Sequence, residues 1–270
     1  MLITEIKTSK ITTGLKRPFK TALRTLDYIE SILIEINTDS GIKGYGGAAP
    51  TEVITGDTEA SIIKGIQIIA DNITGFDISN MEIIMEKINN SMIRNSSPKA
   101  AVDMAVYDLY GKLYKVPVYK LLGGFRNTLV TDLTISLNSP GQMAKDSIDA
   151  VAQGIKTLKV KLGDNAETDL ARMKAIREAL GPDIRLRVDA NQGWQPKEAV
   201  ELVNQMQREG VDLDFVEQPV AAENFEGMRF VKDRVSIPVI ADESVFSPAD
   251  ALRLVNMNAA DGINIKLMKS

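Results

Sequence analysis

Six ionisable residues mark the ends of short strand-like runs in the second half of the chain: Lys159 and Lys161, then Asp189, Glu217 and Asp242, then Lys266. Three acids brought together repel one another unless a divalent cation neutralises them, and lysines flanking that cation are candidate acid–base groups. The chain has no Cys and no His. Thiolates, disulfides, Cys-ligated zinc and imidazole bases are therefore excluded. Proton transfer near neutral pH falls to Lys, Asp, Glu or Tyr, and any metal is held by oxygen, which points to Mg2+ or Mn2+.

The spacing says how these residues meet. Lys161 and Asp189 are 28 residues apart, as are Asp189 and Glu217; the next steps, to Asp242 and to Lys266, are 25 and 24. Each step is about one strand plus one helix, the period of a β/α barrel whose catalytic groups gather at the carboxyl ends of its strands. Side chains alternate along a strand, so Lys159 and Lys161 share a face, as do Asp189 and Asn191. A substrate carboxylate resting on a metal held by Asp189, Glu217 and Asp242 would have Lys161 toward one face of its α-carbon and Lys266 toward the other. Proton removal from one face and return to the opposite face inverts that carbon through a metal-stabilised enediolate. Lys159 is expected to contact the substrate oxygen and to hold down the pKa of Lys161 by like-charge repulsion. Taken singly, each residue reads as an ordinary surface charge; their joint placement is the signal.

The elements that must position them can be read from the pattern. Ile3–Thr13, Tyr28–Asn37 and Ile42–Gly46 are rich in Ile, Thr and Tyr and read as an antiparallel sheet, with Asp39-Ser40-Gly41 as a turn. Helical periodicity follows from Thr58 to Tyr114, and Gly123-Gly124 breaks it. This places a domain boundary between residues 1–124 and 125–270. Beyond it, predicted strands at Leu129–Leu137, Thr157–Leu162, Ile184–Val188, Leu213–Val216, Val239–Ala241 and Gly262–Leu267 alternate with helices such as Thr168–Leu180 and Pro196–Glu209. That alternation implies a parallel α/β sheet. A net charge of −4 with both signs interspersed offers no basic stripe for nucleic acid. No apolar run reaches bilayer length and no secretion signal precedes the first strand, so the expectation is a cytoplasmic protein with no membrane partner.

PFKTALRT, ITGDT, AAVDMAVYDLYGK and LLGG in the first part, and TLKVKLG, RVDANQGW, VEQPV, ADESVF and INIKLMK in the second, resemble the enolase superfamily. The resemblance is to its muconate-lactonizing subgroup, and most of all to the dipeptide epimerases of the L-Ala-D/L-Glu type. It implies an N-terminal α+β capping domain and a TIM-like (β/α)7β barrel. It also implies Asp189, Glu217 and Asp242 as Mg2+ ligands, Lys161 and Lys266 as the opposed acid–base pair, and Lys159 as the lysine at the substrate carboxylate. Arg24, Thr25, Ile54, Thr55, Thr134 and Lys159 are expected at the substrate, with Arg24 receiving an acidic side chain and Asn191 supporting the centre. The expected partner is a small dipeptide, with assembly into a homo-oligomer left open.

Two departures stand out. Gly46-Gly47 replaces the Gly-Glu of relatives. The chain stops at Ser270, just past the sixth strand, whereas the family closes its barrel with two more; the expectation is a barrel truncated there and a longer natural chain. The alternatives are a cycloisomerase or o-succinylbenzoate-synthase-like lyase on the same scaffold, a Schiff-base aldolase using a desolvated lysine, and an inactive truncated barrel acting as a binding module.

Overall fold

Alternation in the first strands builds an apolar face. In the computed structural model, which describes residues 1–269, β1 (Ile3–Lys20), β2 (Thr25–Thr38) and β3 (Lys43–Ala48) form one sheet in that order. β2 and β3 run antiparallel, with Ile34 opposite Gly46 and Ile36 opposite Gly44. Ile32, Ile34 and Ile36 are buried on one face of β2. Helices α1 (Glu59–Ile73), α2 (Met81–Asn90), α3 (Ser96–Tyr114) and α4 (Val118–Leu121) follow. A reciprocal pair of hydrogen bonds between Thr58 and Ser61 closes the start of α1. The helix then presents Ile62, Ile66, Ile69 and Ile73 to the β2 isoleucines in one core.

β3 lies almost against the backbone of α3. A Cβ on Gly46 would fall 2.0 Å from the Ala101 carbonyl oxygen, and one on Gly44 would fall 2.3 Å from that of Ala105. Gly47 meets nothing nearer than the Ser31 hydroxyl at 3.4 Å. The departure from Gly-Glu therefore sits where a side chain has room.

The second part alternates strand and helix: β4 (Leu133–Ile135), α5 (Pro140–Ala152), β5 (Thr157–Lys161), α6 (Ala166–Leu180), β6 (Arg185–Asp189) and α7 (Pro196–Arg208) come first. β7 (Val216–Glu217), α8 (Phe225–Lys232), β8 (Val239–Ala241), α9 (Pro248–Met257) and β9 (Gly262–Ile263) complete it. The six strands pair in chain order, all parallel, as successive strands of a β/α barrel do. Leu158, Val160, Leu186, Val188 and Val216 pack in one core with Met173 and Ile176 of α6, Leu202 and Val203 of α7 and Met228 of α8. Ser139, Asn165, Asn224 and Ser247 each accept the backbone N–H three residues on, starting α5, α6, α8 and α9 just beyond the strand ends. Each such cap contributes about 1 kcal/mol.

Contacts divide the chain into two units: residues 1–15, 28–129 and 266–270 form one, and residues 16–27 and 130–265 the other. The ends of β1 and β2 thus belong with the parallel sheet, which explains why β1 runs past the expected Thr13. Lys20 N–H donates to the Ser136 hydroxyl at 2.6 Å and Leu137 N–H donates to the Lys20 carbonyl at 3.0 Å. These are tertiary partners that no local pattern announces. Three expected strands are shorter than the sequence suggests: Leu129–Leu137 contracts to Leu133–Ile135, Leu213–Val216 becomes Val216–Glu217, and Gly262–Leu267 ends at Ile263. β4 and β9 are the sheet's two edges among the described residues, and an edge strand has a ladder on one side only.

Candidate metal and proton-transfer centre

The parallel register brings the chemistry together. Lys161 lies opposite Asp189, and Asp189 opposite Glu217. Glu217 lies opposite Ile240, so Asp242 falls on the same face one pleat further on. One carboxylate oxygen from each of Asp189, Glu217 and Asp242 lies within 4.8 Å of the others, and all three residues are buried. Gln218 fixes the third member: its side-chain oxygen accepts the N–H groups of Asp242 at 2.9 Å and Ser244 at 3.1 Å. Its amide nitrogen donates to the Val220 carbonyl and the Ser244 hydroxyl.

Two ammonium groups reach into the cluster from β5. Lys161 Nζ donates to Asp189 Oδ2 at 2.6 Å and to Asn191 Oδ1 at 2.8 Å. Lys159 Nζ lies 2.8 Å from both Asp189 Oδ2 and Glu217 Oε1. Both lysines therefore share one carboxylate oxygen, so an anion stands between the two charges expected to repel. Burial alone would lower Lys159, but the charges of Asp189 and Glu217, with their hydrogen bonds, hold it above the ordinary lysine value. Burial opposes ionisation of Asp189 too, yet Lys161 and Lys159 keep it below the usual carboxylate value.

Glu217 behaves in the opposite way. Burial, then repulsion from Asp189, pushes it up to about 7 despite the neighbouring Lys159. A divalent cation held among three buried carboxylates would relieve this repulsion. With oxygen-only donors and no His or Cys in the chain, the residues fit Mg2+.

Other expected residues fall as follows. Thr134 lies opposite Lys159 on β4 and shares its face. Asn191 accepts from Lys161 and donates to Glu243 Oε1 at 2.9 Å, joining the two loops. Arg24 and Thr25 close a tight turn in which Thr21 N–H donates to the Arg24 carbonyl and the Thr21 hydroxyl accepts Arg24 N–H. Neighbouring Ala22 sits where a Cβ on Gly163, just past β5, would reach to 2.9 Å of it. Within the other unit, Thr55 Oγ1 accepts from Ser97 Oγ at 3.3 Å and from Asp57 N–H at 3.2 Å, and Ile54 N–H donates to the Thr51 carbonyl. Lys266 lies three residues beyond β9.

The sequence reading missed Gln218 and Asn264, whose amide donates to Glu217 Oε1 at 2.8 Å. A polar residue next to each predicted strand end was the available signal. Asn191, Gln192 and Gln218 take positive φ of 41°, 70° and 38°. For residues other than glycine, such conformations cost on the order of 1 kcal/mol each and collect at functional sites. Arg187, further down β6, is paired with Asp132 at 2.7 Å and Asp214 at 3.3 Å.

Residues 3–123 match the family described as Mandelate racemase / muconate lactonizing enzyme, N-terminal domain, and residues 142–270 match Enolase C-terminal domain-like. The L-Ala-D/L-Glu epimerase of Clostridium acetobutylicum is 52% identical over 271 residues, spanning 100% of this chain and 76% of that protein. A substrate-liganded structure of the L-Ala-D/L-Glu epimerase from Bacillus subtilis superposes with a TM-score of 0.98 at 45% identity, covering 100% of this chain and 76% of the other. The Enterococcus faecalis dipeptide epimerase, complexed with Mg and L-Leu-L-Tyr, gives 0.96 at 40% identity, covering 100% and 75%. Over both of its parts, then, the chain belongs to the mandelate racemase / muconate lactonizing enzyme family of the enolase superfamily.

Proposed function

We propose that this protein is a Mg2+-dependent isomerase that epimerises the α-carbon of the C-terminal residue of a dipeptide of the L-Ala-D/L-Glu type. The observation that carries this reading is the buried cluster of Asp189, Glu217 and Asp242 with Lys159 and Lys161 hydrogen-bonded into it. Epimerase relatives at 45–52% identity support the substrate class. Bound at the three carboxylates, Mg2+ supplies Lewis-acid stabilisation of the negative charge that develops on the substrate carboxylate.

The chain's own groups do the rest. The α-carbon–hydrogen bond breaks toward one lysine of the Lys161/Lys266 pair, in its neutral form, and the electron pair passes into the carboxylate. The other lysine, as an ammonium, delivers a proton to the opposite face. The two lysines end with exchanged protonation states, and proton exchange with solvent returns them to their starting forms for the next turnover. Lys159 holds the substrate carboxylate, Thr134 lines the same face, and Arg24 with Thr25, and Ile54 with Thr55, contact the peptide, Arg24 pairing with the glutamyl side chain. No helix among the described residues is long and apolar enough to cross a membrane; we place the enzyme in the cytoplasm.

The test is proton NMR of L-Ala-L-Glu incubated in D2O with protein and Mg2+. Loss of the glutamyl α-proton signal with growth of the deuterated D-glutamyl diastereomer supports the reading. Dehydration or ring closure of a non-peptide acid, with no dipeptide exchange, overturns it.

A further inference from the structure

We propose that Asp169 and Arg172, on the first two turns of α6, form a buried latch that positions Lys161 for proton transfer. The inference rests on the epimerase reading above and assigns residues that reading does not use. Asp169 is fully buried and Arg172 is 6% exposed. A buried ion pair is a weak source of stability against well-packed apolar residues, so what these two hold in place is the informative question.

They hold the loops that leave three adjacent strands. Asp169 Oδ2 accepts three donors: Gly163 N–H at 2.9 Å, Asp164 N–H at 3.2 Å and the Trp194 indole N–H at 3.0 Å. The first two lie just past Lys161 on the β5 loop, and Trp194 closes the β6 loop that carries Asn191. Arg172 bonds Asp169 Oδ1 at 2.7 Å, Asp164 Oδ2 at 3.2 Å and, through Nε, the Asn138 carbonyl beyond β4 at 2.7 Å.

The gathered loops have no slack. Gly163 has φ +104°, and a Cβ there would fall 2.2 Å from the Ala190 carbonyl oxygen; one on Gly193 would fall 2.4 Å from Gly163 Cα. Displacing the β5 loop therefore moves the β6 loop with it, and so Lys161 and its partner Asn191 together. Lys266 lies three residues beyond β9, the opposite edge strand from β4, and is not among the partners of Asp169 and Arg172 named above. The latch thus acts on one of the two proton-transferring groups, and Asp169 and Arg172 are positioning residues.

The test compares α-proton exchange into D2O from the two diastereomers, L-Ala-L-Glu and L-Ala-D-Glu, which present that proton to opposite lysines. Net turnover in the two directions is tied by the equilibrium constant, so the readout is initial exchange with retention. Asp169→Asn/Arg172→Leu removes both charges, and Trp194→Phe removes only the indole donor should the double variant fold poorly. The expected result is a fall of about 10- to 100-fold in exchange from the diastereomer facing Lys161, with exchange from the other within about twofold, a smaller asymmetry of the same sign in Trp194→Phe, and a shift in the emission of Trp194, the chain's single tryptophan, in the double variant. Equal losses from both diastereomers, or no loss in a folded variant, would overturn the latch. Wild-type protein that exchanges neither dipeptide would sink the epimerase reading instead. The latch is then decided by amine acylation mapped by mass spectrometry, with altered labelling of Lys161 supporting it and unaltered labelling overturning it.

Discussion

The two units bury different things. In the first, the interior is a wall of isoleucine: Ile32, Ile34 and Ile36 of β2 face Ile62, Ile66, Ile69 and Ile73 of α1, and glycine lets β3 lie on α3. In the second, a core of mostly Val, Leu, Ala and Met is capped at the strand ends by buried Lys161, Asp169, Arg172, Asp189, Glu217, Asp242 and Glu243. Burying charge is costly unless it is paired, and here burial together with repulsion from Asp189 lifts Glu217 to about 7. The contrast teaches that the first unit is filled mainly by aliphatic packing, while the second crowds buried charge together where chemistry is to occur.

The sharpest way to break this contrast is to change each interior in turn. Lys161→Ala is expected to lower epimerisation by roughly 10²- to 10⁴-fold, the usual contribution of a general acid–base group, with a thermal midpoint close to wild type. Ile34→Ala should do the reverse, costing about 2–5 kcal/mol of stability by leaving a cavity, with kcat per folded molecule retained. Denaturant titration alongside steady-state assays separates the two. A catalytic collapse from Ile34→Ala at full folding, or an unfolded Lys161→Ala, would erase the distinction.

pH sharpens it further. The Glu217 carboxyl is raised in the fold, so its contribution to metal-free stability is complete below the ordinary value of 4.5 and is lost as pH rises through about 7. Asp189 is lowered, so its contribution is present above 3.8 and is lost as pH falls below that. Metal-free protein should therefore lose stability between about pH 5 and pH 8, and Glu217→Gln should flatten that loss. Thermal melts across this range in chelator test it; a slope unchanged by the substitution would remove Glu217 as its source.

The smallest effects concern neighbouring glycines. Gly46→Ala is expected to cost about 1–3 kcal/mol through overpacking against α3. Gly47→Ala should be neutral or stabilising by about 0.5–1 kcal/mol, because a strand glycine is replaced where there is room. Equal destabilisation at both sites would contradict the close approach described for β3.

Much of this was legible before the structure. Lys159, Lys161, Asp189, Glu217 and Asp242 could be placed on one face because strand alternation is a period of two and the β/α spacing fixes which strands are neighbours. The limits of β4, β7 and β9 could not, since ladder length depends on partners across the sheet rather than on local pattern. The same holds for Lys16–Asp27, whose attachment to Ser136 and Leu137 is entirely tertiary. Gln218 was hidden because its role lies in accepting two backbone N–H groups from the next strand's loop, and only the fold brings that loop to it.

The most direct test of the account is a calorimetric titration of metal-free protein with Mg2+, repeated on Asp242→Asn. Wild-type protein is expected to take up one ion per chain saturably, and the variant to lose that uptake. Absence of saturable uptake in folded wild-type protein, or uptake unaltered without the Asp242 carboxylate, would contradict it.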